Sequence, residues 1–102
     1  MMDNIIVLSG AVCRHPERSE SPAGIPHTVI TIEHRSNQQE AGLNRQAYVR
    51  MQAVLSGTVL HQQAQTLTLG SMVKVSGFLN RHQNRSGQAK LVLHAQQIEQ
   101  IS

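Results

Sequence analysis

Between Arg45 and Leu55 the chain alternates without a break. Ala47, Val49, Met51, Ala53 and Leu55 fall on one side, and Gln46, Tyr48, Arg50 and Gln52 on the other. Successive side chains of a β-strand point to opposite faces, so this period of two describes a strand with one face buried and one face wet. The apolar row needs other strands to cover it, and the rest of the chain supplies them. Residues 5–13, Ile-Ile-Val-Leu-Ser-Gly-Ala-Val-Cys, are a β-branched run closed by Pro16 and apolar on both faces at its start. His27 to Arg35 puts Ile30 and Ile32 on one side and Val29, Thr31, Glu33 and Arg35 on the other. Residues 71–82 turn Val73, Val75 and Leu79 inward and Lys74 and Ser76 outward. Residues 90–101 turn Leu91, Leu93 and Ala95 inward and Lys90, Val92 and His94 outward. Helical turns are expected only within 57–69, around His61 to Gln65, ended by Gly70. Residues 15–26, with three prolines and a glycine, read as a loop. Residues 36–44 read as a polar connection, and Asn84 to Gly87 as a turn.

Five strands, with a short helical connection between the third and fourth, suit an all-β, five-stranded OB-fold Greek-key barrel, expected as a single domain over residues 1–102. Gly10 and Gly77 stand inside the first and fourth strands, where a barrel needs bends or bulges. Other small sandwiches and barrels share this periodicity, which does not choose among them.

Several function classes fall away on composition. No apolar stretch is long enough to span a bilayer, so no membrane partner is expected. The start, Met1-Met2-Asp3-Asn4, lacks the basic and apolar regions of a secretory signal. The single cysteine, Cys13, has no internal disulfide partner, and a cytoplasmic location is expected. Six histidines stand at 15, 27, 34, 61, 82 and 94, none paired at the close spacing of metal ligands. The carboxylates Asp3, Glu17, Glu20, Glu33, Glu40 and Glu99 lie mostly in loops or at ends, and there is neither a G-x-S-x-G motif nor a phosphate-cradling glycine loop. A non-enzyme with no catalytic residues, no metal and no cofactor is the expectation.

The charge points elsewhere. Nine basic against six acidic residues give a net charge of +3, which leans toward a polyanionic partner. Arg35, Arg50, Lys74 and Lys90 all take the outward parity of their strands, and Tyr48 shares that side with Arg50. Cations that meet phosphates beside a ring that stacks on a base are what a single-strand groove requires. The segment Asn80 to Lys90 carries Arg81, Arg85 and Lys90 with no acid, a basic hairpin suited to a charged strand. A solvated, solubilising surface would show the same charges. Tyr48 and Phe78 are the only aromatic residues besides the histidines, which limits stacking.

Five stretches resemble the primosomal replication protein N (PriB) family: Val7-Leu-Ser-Gly-Ala-Val-Cys-Arg14, Ser21-Pro-Ala-Gly-Ile-Pro-His27, Glu33-His-Arg-Ser36, Glu40-Ala-Gly-Leu-Asn-Arg-Gln-Ala47 and Leu91-Val-Leu-His-Ala-Gln-Gln-Ile-Glu99. They cover nearly the whole chain in one register. The resemblance implies an OB-fold homodimer related to bacterial single-stranded DNA-binding proteins. It implies an accessory role in the replication restart primosome, with single-stranded DNA, the PriA helicase and DnaT as partners, PriA being stimulated and DnaT recruited for helicase reloading. Carried over by position, it implicates Arg35, Arg45, Tyr48, Arg85 and Lys90 in DNA contact, which with the basic segments adds Arg50 and Arg81 to the candidate set. Leu43 stands where the family has an aromatic and Tyr48 where it has a tryptophan. Gln83 stands where a hairpin lysine is expected, with Arg81 two residues earlier to supply the charge. An OB-fold RNA binder and a protein adaptor are the rival functions.

Overall fold

The computed structural model describes residues 2–102. Its strands are β1 (Ile6–Val12), β2 (Glu17–Glu20), β3 (Pro26–Glu40), β4 (Leu43–Ser56), β5 (Met72–Gln83) and β6 (Ala89–Gln100), with one short helix, α1 (Thr58–Gln63), followed by a 3-10 turn, Ala64–Thr66. The sheet runs β1-β5-β6-β4-β3-β2, and β1 also pairs with β3 through Ala11↔Glu33 and Val12↔Ile32. That second pairing closes β1, β3, β4, β6 and β5 into a five-stranded barrel, with β2 as a short edge strand outside it. All pairings are antiparallel except β4 with β6, which meet in parallel at Ala53↔Leu93 and Val54↔His94. This is the OB-fold topology expected from the strand count.

The predicted inward rows meet in the interior. Ile30, Ile32, Ala53, Leu55, Val73, Val75 and Leu93 are buried there with Val12, and Ala64 and Leu67 from the α1 connection close the barrel's end. Burying each of the larger of these side chains is worth about 1.5–3 kcal/mol, which fixes the strand faces because a one-residue slip would expose a whole row. Gly10 and Gly77 both allow close backbone approach. A Cβ at Gly10 would strike the Glu33 carbonyl and the Ile32 side chain, and one at Gly77 the His94 carbonyl. At Gly77 the register shifts, Ser76 facing Gln97 while Gly77 faces Ala95, so Gln96 bulges out.

Three expectations require correction. Residues 15–26 are not only loop: β2 lies within them, Glu17↔Val29 to Glu20↔Pro26, turned by Gly24 at φ 82°. All four β2 residues are exposed, so no apolar alternation marks the strand. Residues 36–44 are not a loop either. β3 continues to Glu40 and β4 begins at Leu43, joined by Ala41 and Gly42, at φ 52° and 76°, the paired left-handed residues of a two-residue hairpin turn. The result is a long arm reaching beyond the core, polar on both faces because nothing covers it. On β6 two residues keep their expected faces but reverse the expected burial. Leu91 is 55% exposed and Val92 only 2%, because Leu91 lies past the barrel's end while Val92 is covered from outside.

Candidate nucleic-acid interface

The β3–β4 register runs unbroken from His27↔Ser56 to Glu40↔Leu43, so faces can be assigned along the arm by parity. Arg35 lies opposite Tyr48, and Glu33 opposite Arg50. These four residues share the outer face. The Arg35 guanidinium lies 4.5 Å from the Tyr48 ring centroid, a cation–π contact. Its Nε stands 3.8 Å from a Glu33 carboxylate oxygen, and the Tyr48 hydroxyl donates to the other at 3.1 Å. The ring is half exposed. Arg50 has no ion pair among the described residues.

The β5–β6 hairpin approaches from the neighbouring strand. The Lys90 ammonium donates to Gln52 Oε1 at 2.5 Å, which places it near Arg50 on the same outer face. The hairpin's turn is built by Asn84, whose Oδ1 accepts the backbone N–H groups of Ser86 and Gln88 at 3.1 and 2.9 Å, with Gly87 at φ 84°. Arg85 sits at its tip.

Parity separates the other candidates. Arg45 pairs with Gln38 on the opposite face of the arm, where its Nε stands 3.6 Å from Glu40. Arg81 pairs with Leu91 and takes the inward parity of β5 beyond the barrel's end. The structure therefore brings Arg35, Tyr48, Arg50 and Lys90 together on one face, puts Arg85 at a hairpin tip, and sets Arg45 and Arg81 on the reverse sides of their hairpins. Lys74, also outward, pairs with Ser9 and Glu99 on the β1–β5–β6 side, away from this face.

One feature of the face escaped the sequence reading. Phe78 stacks on His94 with centroids 5.1 Å apart and planes 8° from parallel, and His82 Nε2 meets His94 Nε2 at 2.8 Å. All three residues have outward parity, and the two imidazoles meet across the Asn80↔Val92 pair, which accounts for the burial of Val92. The His82–His94 contact needs one N–H and one lone pair, so it cannot hold both rings protonated. Burial, and then the charge of neighbouring His82, hold His94 below the usual imidazole range. Among the described residues no three His, Cys, Asp or Glu side chains converge on a metal position, and no helix is long and apolar enough to cross a membrane.

A family model described as "Another single-strand binding protein family" matches residues 4–97. The replication restart protein PriB of Photorhabdus laumondii is 55% identical over 99% of this chain and 96% of its own length, and that of Proteus mirabilis 54% over the same shares. The chain belongs to the PriB replication restart family. The fold agrees with that membership. PriB from Ralstonia solanacearum superposes with a TM-score of 0.81 at 21% identity, covering 99% of this chain and all of the other. The single-stranded DNA-binding protein of Thermus aquaticus does so at 0.81 and 18% identity, over 97% of this chain and 50% of that one.

Proposed function

We propose that the chain is a single-stranded DNA-binding accessory protein of the replication restart primosome, holding the strand across the outer face of β3, β4 and the β5–β6 hairpin. The observation that carries this reading is full-length identity above 50% to replication restart proteins. In this reading Arg35, Arg50 and Lys90 meet phosphates while Tyr48 offers its ring to a base. Arg45, Arg81 and Arg85 extend the positive field along the two hairpins. Phosphate contacts of this kind are independent of sequence and weaken with salt. The protein acts in the cytoplasm without catalysis of its own, stimulating the PriA helicase and helping to recruit DnaT through contacts made on the bound strand.

It does so as a homodimer. Val7 is 55% exposed on the outer face of β1, Ile5 just before it is also exposed, and β1 meets β3 only through Ala11 and Val12, leaving one edge of residues 6–10 unpaired. A second copy would cover that apolar row and edge. Sedimentation should show a dimer at micromolar concentration, and a monomer would overturn this part of the reading. The function itself is tested by titrating a labelled DNA strand and an RNA strand of the same length at several salt concentrations. Salt-sensitive binding favouring DNA is expected, and failure to bind DNA, or a preference for RNA, would overturn it.

A further inference from the structure

Of the two acids in β3 and β4, only Glu33 has the parity of Tyr48 and Arg50; Glu40 lies on the reverse side of the arm. Both oxygens of Glu33 are engaged, one by Arg35 Nε at 3.8 Å and the other by the Tyr48 hydroxyl at 3.1 Å, while the Arg35 guanidinium covers one face of the Tyr48 ring at 4.5 Å. Each of the three groups is thus satisfied by the other two. A phosphate that engages Arg35 has to compete with a carboxylate of like charge, and a base that stacks on the covered ring face has to move the guanidinium aside. Arg50, directly across from Glu33, makes no ion pair among the described residues, so the acid partly neutralises one cation and leaves its neighbour free.

We propose that Glu33 is an intramolecular stand-in for a DNA phosphate, holding Arg35 across Tyr48 and keeping single-strand affinity below what the cations of this face would otherwise deliver. This rests on the reading of the face as a single-strand site and adds its regulation. Strand binding is then an exchange. Arg35 leaves Glu33 for a phosphate, the ring face is uncovered for a base, and the released carboxylate faces the strand as an uncompensated negative charge. The acid does not touch the base; it is a positioning residue that acts through Arg35 and Tyr48.

The size of the effect follows from the exposure of the pair. Arg35 is 70% exposed and Glu33 33%, so the ion pair is a surface one, and removing its competition should raise affinity by about two- to fivefold. Salt dependence carries a second signature. With Glu33 present, the counterion gained by the freed carboxylate offsets the one released from the phosphate. Without it, the log–log slope should steepen by up to about 0.7, one phosphate contact's worth on a single strand.

Glu33→Gln is the direct test, since the amide oxygen can still accept from Tyr48 while the charge is gone. It should bind a labelled DNA strand more tightly and with a steeper salt slope, whereas Glu17→Gln, the same charge change on edge strand β2, should gain less. A gain in affinity cannot come from a damaged fold. In an Arg35→Ala background most of the gain from Glu33→Gln should vanish, because no guanidinium remains to be released. The chain has one tyrosine and no tryptophan, so its intrinsic emission reports Tyr48 alone. A phenol that donates to a carboxylate is quenched, so Glu33→Gln should brighten that emission before any DNA is added. Unchanged or weaker strand binding by Glu33→Gln, an equal gain in Glu17→Gln, or a gain that survives Arg35→Ala would each overturn the role of Glu33. A parent protein that binds no strand at all would instead overturn the single-strand reading.

Discussion

The β3–β4 arm and the β5–β6 hairpin both project basic residues beyond the barrel, and they treat that charge in opposite ways. On the arm, Arg35 and Arg45 are each answered by an acid of the same hairpin, Glu33 and Glu40. On the β5–β6 hairpin, Arg81, Arg85 and Lys90 have no acid between Asn80 and Lys90, and no ion pair among the described residues. The arm therefore presents pre-positioned side chains with little net field. The hairpin presents field with little fixed geometry, its one anchored cation being Lys90 on Gln52. A strand drawn in by the hairpin's charge and then fitted to the arm would use both, because unpaired charge acts at a distance while ordered contacts act only on arrival.

The largest separation of the two regions should come from removing the hairpin's charge. Replacing Arg81, Arg85 and Lys90 together by alanine should flatten the salt slope by at least about 0.7, for the phosphate given to Lys90, and by up to about 2 units as the field of Arg81 and Arg85 is lost with it, costing up to about 100-fold in affinity near 0.1 M salt. Because all three side chains are exposed, the fold should be unaffected. A matching triple change on the arm, Glu33, Glu40 and Tyr48 left in place and Arg35, Arg45 and Arg50 replaced, should flatten the slope less, since two of its cations are already paired. Equal slopes would break the distinction.

Tyr48→Ala should have the next largest effect, and of a different kind. It removes a stacking surface worth about 1–3 kcal/mol per base and no charge, so affinity falls while the slope stays as it was or steepens as Arg35 is freed. Titrations at several salt concentrations separate this vertical shift from the hairpin's change of slope. A flatter slope in Tyr48→Ala would mean that the ring serves only to place the guanidinium.

How far these regions could be read in advance depended on whether a core lay beside them. The barrel strands were legible because Ile30, Ile32, Leu55, Val73, Val75 and Leu93 must be covered, and their period names the face. The arm and β2 were not, since residues 36–44 and Glu17–Glu20 bury nothing and are strands only through their backbone ladders. Within the site, parity alone put Arg35, Tyr48, Arg50 and Lys90 outward, as found; Arg45, named only through the family resemblance, lies on the reverse face. What parity could not show was which outward residues meet across strands. The Glu33–Arg35–Tyr48 cluster needs the β3–β4 register, and the Phe78–His94–His82 ladder needs that of β5 and β6, its contacts joining residues sixteen and twelve positions apart.

That ladder gives the hairpin a further difference from the arm: its root carries an imidazole, His94, held below its ordinary pKa. His94 is held below the ordinary imidazole range by burial and by His82, so near neutral pH the unfolded chain binds this proton more readily than the folded one. The sign follows. Stability should be level above the ordinary imidazole value of about 6.5, fall as pH drops through it, and level off again once the folded chain takes up the proton. The loss is small, because the ring is only partly buried and water moderates the penalty. Acid should also loosen the Nε2–Nε2 contact, since two protonated rings cannot share it, and so uncover Val92. Thermal melts without DNA, taken from about pH 8 to about pH 5.5, where most carboxylates are still ionised, should therefore show a lower midpoint on the acid side in the parent than in His94→Gln measured against its own value at high pH. The same slope in both proteins, or a parent that gains stability on acidification, would mean that the fold does not hold His94 below the ordinary imidazole range, and this difference between hairpin and arm would be lost.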